Sequence, residues 1–273
     1  MGRRSQASVS GHLALPVCNV CGRRCCPLDL RARHPVALTA DNLFIRDPAG
    51  YLVEIQVFLD SAWPSPSLFP LQSSTEAEAL VALSATEAVA RLRLGTVTPM
   101  QLIDAFVWQH SKSEAAVNAV PITCIDRARA AAARLADTGH PSPVPLGYLY
   151  GLPVIIKDLS NVEGVRTTQG SPIYRDAIAS TSDAVVLELE KKGAIIVGKS
   201  NTPEFGAGSN TFNPIFGATV TPFDVRRSAG GSSGGAAAAL ASGTAWLASG
   251  SDLGGSLRIP AAFCGVYGLR VSP

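Results

Sequence analysis

The stretch RSAGGSSGGAAAALASGTAWLASGSDLGGSLRIPAAFCGVYGL, residues 227–269, decides how the rest of the chain is read. It holds two glycine-flanked serine sites, GGSSGG at 230–235 and DLGGS at 252–256. An alanine run and a small-residue segment that reads as a strand over Thr244–Ser249 lie between them. Glycine admits positive φ and lets another group approach the backbone closely. Backbone N–H groups bared in this way can bind an anion or a developing oxyanion. A serine in such a loop is a candidate nucleophile.

The residue that would activate the serine is not obvious. The only histidines are His12, His34, His110 and His140, all upstream of both serine sites. Lys157 ends the apolar run LPVIIK, and Lys199 ends the apolar run AIIVGK. On local context alone either lysine could be the base. A free lysine titrates near 10.4, and burial disfavours its charged form. Lowering that value by roughly 3 units corresponds to about 4 kcal/mol, which an enclosed site can supply.

These residues resemble the signature of the amidase signature family. GGSSGG, the run DLGGSLRIPAAFCG and the upstream segment GLPVIIKD occur in the family's order, and the resemblance covers roughly residues 78–273. Ser256 follows Ser232 by 24 positions, the family's spacing. The resemblance implies a Ser–cisSer–Lys triad with Ser256 as nucleophile, Ser232 as bridge and Lys157 as base. It also implies that Ser232 precedes a cis peptide bond, and that amides are cleaved through an acyl-enzyme without a metal or organic cofactor. The backbone N–H groups of Leu253, Gly254, Gly255 and Ser256 are the oxyanion-hole candidates. Ser171, in TTQGS, reads either as a substrate-binding hydroxyl or as a turn serine; Arg258 reads either as a substrate-carboxylate ligand or as a brace for the loop. Asp158 reads as a structural partner for a cation or a turn. Cys264 reads as a small core residue.

The expected fold class is α/β, a mixed and largely parallel central sheet covered by helices, because apolar strand runs alternate with helical periods. Ser84 and Glu87 form a capping-box pattern; so do Thr98 and Gln101, with Pro99 at the first helical position. Further helices are expected over 126–137, over 182–192 with Ser182 as cap, and over Ala236–Ala241. Strands are expected at Leu152–Ile156 and Ala194–Val197.

Upstream, the expected organisation is an irregular segment 1–60 with a β-hairpin near 43–58, a Pro- and Ser-rich linker 61–77, and the amidase domain from 78 onward. The hairpin resembles the closing strands of a glyoxalase/dioxygenase-like (vicinal oxygen chelate) module, in which Glu54 would stand at a metal-ligand position; one carboxylate does not make a metal site. CNVCGRRCC (Cys18, Cys21, Cys25, Cys26) reads as reduced thiols, or as a zinc site of irregular spacing.

A net charge of +2 gives no argument for a nucleic-acid or membrane partner. No apolar run reaches the roughly 20 residues of a membrane span. The N-terminal apolar run is short and broken by Pro16, which argues against a secretory signal, and the expected location is cytoplasmic. The expected partner is a small-molecule amide; its identity, any coupled transamidation and the oligomeric state are left open. The family resemblance also implies some two hundred further residues past the signature. The alternative expectation is therefore a truncated, catalytically inactive amidase fragment.

Overall fold

A computed structural model describes residues 45–46, 52–57 and 76–270. All belong to one compact unit, residues 41–273. The cysteine cluster at 18–26 and most of the expected linker lie outside the described residues.

The elements run in chain order: β1 (Ile45–Arg46), β2 (Leu52–Val57), α1 (Glu76–Val81), α2 (Ala85–Leu94), α3 (Pro99–Val117), β3 (Ile122–Thr123), α4 (Ile125–Thr138), β4 (Pro153–Lys157), α5 (Ala184–Lys191) and β5 (Ile195–Ser200). After two short hairpins, β6–β7 (Phe212–Asn213, Gly217–Ala218) and β8–β9 (Val220–Thr221, Asp224–Ser228), come α6 (Gly234–Ala241), β10 (Leu247–Gly250), α7 (Arg258–Cys264) and β11 (Tyr267–Gly268).

The expected mixed α/β sheet is present, and its parallel part is its centre. The order is β1-β2-β10-β4-β5-β3, with β11 also on β2. β10 pairs parallel with β4, and β4 parallel with β5. β2 pairs antiparallel with β10, setting Gly250 opposite Glu54, and β3 closes the other side antiparallel to β5. β1 and β2 pair as a hairpin, with Ile45 opposite Val53.

β4 and β5 are buried along their whole length, the state that near-continuous apolar runs adopt when helices cover both faces of a sheet. Capping explains where the first helices start. Ser84 with Glu87 and Thr98 with Gln101 each form both bonds of a capping box, and Gly95 ends α2 in the left-handed conformation. The cap of α5 differs from expectation. The residue before α5 is Asp183, and the Ser182 hydroxyl accepts instead from the Glu163 N–H at 2.9 Å. β10 also starts and ends later than the sequence suggests, because Thr244 and Ala245 still bond back to Ala239 at the end of α6.

α6 is buried at every residue. Alanine and glycine are required there because the helix lies directly on the chain beyond β5. A Cβ on Gly235 would stand 2.3 Å from the Asn201 nitrogen, and one on Gly234 2.4 Å from the Thr211 hydroxyl. That contact brings GGSSGG, at the head of α6, to the C-terminal ends of β4 and β5.

Candidate active site

β4 ends on Lys157, whose side chain is 2 % exposed. In the parallel register Lys157 lies beside Ser200, so it points to the same face of the sheet as Ser200, and Lys199 points to the other. The Ser249 hydroxyl of β10 accepts from the Lys157 N–H at 2.9 Å and fixes the end of the strand. The Lys157 side-chain nitrogen, Nζ, then lies 2.8 Å from Ser232 Oγ, 2.9 Å from Ser233 Oγ and 2.9 Å from Ser251 Oγ. Ser232 and Ser233 are buried, whereas Ser251 is exposed.

The cis peptide bond joins Gly231 to Ser232, so Ser232 follows it and does not precede it as the sequence reading had it. Gly231 leaves no room for a side chain, since a Cβ would meet the Asn210 backbone at 2.9 Å and the Gly208 carbonyl at 3.0 Å. Residues 208–210 also line a cavity of about 400 Å³ with Pro203, Glu204 and Phe212.

Ser256 is half-buried. Its carbonyl accepts from the Ser233 N–H at 2.9 Å, which ties the two serine loops together. Among the described residues its hydroxyl makes no hydrogen bond, so the structure joins Lys157 to Ser232 directly and Ser256 to them only through backbone.

Asp252 organises the loop that carries Ser256. Its carboxylate accepts from the N–H groups of Gly255 at 2.6 Å, Leu257 at 3.3 Å and Arg258 at 3.4 Å. The Arg258 guanidinium forks onto both carboxylate oxygens at 2.9 and 3.1 Å. Arg258, then the backbone donors, hold the Asp252 carboxyl well below the usual carboxylate range. Of the four oxyanion-hole candidates, the Gly255 N–H is thus engaged by Asp252. Those of Leu253, Gly254 and Ser256 have no protein acceptor among the described residues.

Arg258 is thus engaged with Asp252 in the loop that carries Ser256. Ser171 donates to Glu204 at 2.6 Å and accepts from the Ile173 N–H at 3.4 Å, capping the 3-10 turn Pro172–Tyr174. Lys199, the rival base, donates to Asp158 at 2.9 Å and to Thr167 at 2.7 Å, with both charged groups fully buried. Burial pushes the Lys199 pKa down, and Asp158 beside it opposes the shift. Asp158 also accepts from the Thr168 N–H and hydroxyl. Its structural reading therefore holds. Cys264 is fully buried, and burial pushes its thiol pKa up to about 12. Among the described residues no group of three or more His, Cys, Asp or Glu is placed to hold a metal ion, and no helix is long and apolar enough to cross a membrane.

The family model described as Amidase matches residues 101–273. The chain belongs to the amidase signature family. The match does not touch the β1–β2 hairpin, so nothing supports the glyoxalase-like resemblance there. A glutamyl-tRNA(Gln) amidotransferase subunit from Koribacter versatilis (strain Ellin345) is 42% identical over 193 residues, 70% of this chain and 39% of that protein. A bacterial aryl acylamidase of the amidase signature family aligns with TM-score 0.60 at 34% identity, covering 66% of this chain and 37% of its own. A 6-aminohexanoate cyclic dimer hydrolase aligns with TM-score 0.61 at 30% identity, covering 68% and 37%. The chain thus spans about two-fifths of the length of the relatives it matches.

Ser233, Ser249 and Ser251 were missed by the sequence reading. A serine that supports a lysine from another strand has no local signature; the SGSD run at 249–252 was the only available hint.

Proposed function

We propose that this chain carries the catalytic half-site of an amidase. Ser256 attacks the carbonyl of a small amide, Ser232 relays its proton, and Lys157 is the base. The observation that carries the reading is the buried Lys157 Nζ at 2.8 Å from Ser232 Oγ. Burial disfavours the ammonium form of a lysine, and an uncharged amine can accept the relayed proton. The proton then returns to the leaving nitrogen, and water resolves the acyl-enzyme. The N–H groups of Leu253, Gly254 and Ser256 are the donors that remain for the oxyanion. The Ser256 hydroxyl closes onto Ser232 when substrate is bound, as catalytic hydrogen bonds commonly tighten only in the complex. The cavity at 203–214 has room for a small substrate's substituent.

A second reading is that this chain alone is catalytically silent. The nucleophile loop favours it, because Leu253 is 95% exposed and the Gly255 donor faces Asp252.

A fluorophosphonate serine probe separates the two readings. Labelling of the purified chain at Ser256, lost in Ser256→Ala and in Lys157→Ala and kept in Lys199→Met where that variant folds, supports the amidase reading. Absence of labelling on the folded chain supports the silent one. The name of the amidotransferase relatives also raises amide transfer to glutamyl-tRNA(Gln), which would need the wider assembly of those proteins.

A further inference from the structure

The Lys157 amine meets three hydroxyls, and only one of them belongs to the relay. A neutral amine has two N–H donors and one lone pair. For it to take a proton from Ser232, the lone pair must face Ser232 and the two N–H groups must be held elsewhere. Ser233 Oγ and Ser251 Oγ, each at 2.9 Å, stand where those N–H groups would donate. The two serines also fix one another. The Ser251 N–H donates to Ser233 Oγ at 3.3 Å, and the Ser233 hydroxyl donates to the Ser251 carbonyl at 3.3 Å. The Ser233 hydroxyl is therefore set from both sides. Ser251 differs from its two companions in being exposed. It leads directly from β10 into the loop that Asp252 organises, so the residue that orients the base is continuous with the loop that carries the nucleophile.

We infer that Ser251, together with Ser233, is a positioning residue for the base: it holds the Lys157 N–H groups so that the lone pair is directed at Ser232. The inference rests on the amidase reading above. The charged groups on the elements around Lys157 are few among the described residues. Lys199 and Asp158 pair on the opposite face of the sheet, and Asp252 is engaged by Arg258 and Arg270 in the following loop. Ser251 is an exposed polar neighbour of the amine that can be altered without removing a charge.

The test measures the rate of fluorophosphonate labelling at Ser256 against pH for the wild type, Ser251→Ala and Ser251→Thr, with thermal melts alongside. Wild-type labelling that depends on Lys157 establishes the underlying reading first; its absence defeats that reading and this inference together. Given that dependence, Ser251→Ala should lower the plateau rate about tenfold. It should also move the acid limb to lower pH by about half to one unit, because a hydroxyl acceptor stabilises an ammonium more than an amine. Ser251→Thr, which keeps the hydroxyl, should restore both within about threefold. An unchanged profile in Ser251→Ala overturns the inference. So does a lowered plateau with an unmoved acid limb, or one that Ser251→Thr fails to restore while its melt matches the wild type. If Ser251→Ala does not fold, Ser251→Thr compared with Ser251→Cys carries the same test, since the thiol is the weaker acceptor.

Discussion

Lys157 and Lys199 end neighbouring parallel strands, both follow apolar runs, and both are almost fully buried. Their surroundings differ completely. Lys199 rests against the Asp158 carboxylate and the Thr167 hydroxyl on one face of the sheet. Lys157 reaches three serine hydroxyls on the other. The buried Lys199, hydrogen-bonded to a carboxylate and a hydroxyl, is a structural tie. The Lys157 amine lies 2.8 Å from the Ser232 hydroxyl, the group with which the proposed mechanism has it exchange a proton. The pleat alone separates the two, since side chains one position out of register face opposite ways.

Removing each lysine should separate chemistry from stability. Lys157→Ala is expected to lower Ser256 labelling at least about a thousandfold while the melt stays near the wild type. Lys199→Ala is expected to destabilise by about 3–5 kcal/mol in denaturant titration, because it leaves Asp158 buried and uncompensated. If Lys199→Ala folds well and abolishes labelling, the roles are reversed. The buried pair has a sharper test of its own. Asp158→Asn with Lys199→Met together should cost less than the sum of the single changes, since each alone leaves a lone buried charge and the two together leave none.

A smaller effect probes the contact that brings GGSSGG to the strand ends. Gly235→Ala places a Cβ against backbone that cannot yield, and should cost about 1–3 kcal/mol or more in stability. Labelling per folded molecule should fall with it.

The smallest effects concern pH and thiols. The pKa of Asp252 is depressed, so its contribution to loop order is fully present above the ordinary carboxylate value and is lost only as pH falls through the lower, folded one. Amide exchange at Gly255, corrected for intrinsic rates, should therefore show constant protection from pH 8 to about 5, by the same linkage. In Asp252→Asn that protection should fall about tenfold, the equivalent of one hydrogen bond. Cys124 and Cys264 have thiol pKa values pushed up by burial to about 11 and about 12. Peptide mapping at pH 8 should find neither alkylated until the chain is unfolded, because the thiolate is the reactive form.

Much of this was legible beforehand, and for identifiable reasons. Capping boxes announce their helices because the cap and its partner lie three residues apart, as at Ser84 and Glu87. β4 and β5 show as unbroken apolar runs because both faces are covered. The two-residue strands β6 to β8 are too short to carry a period. The Ser182 cap failed because a loop residue, Glu163, competed for that hydroxyl. Ser251 escaped notice because it meets Lys157 across 94 residues of chain.

By itself the sequence determined the kind of element at each place, the order of the motifs and their family, since these depend on local propensity and spacing. Which lysine meets hydroxyls and which meets a carboxylate was decided only in the folded chain. Strand register and the seating of α6 set those distances, and both arise from contacts between residues far apart in the chain.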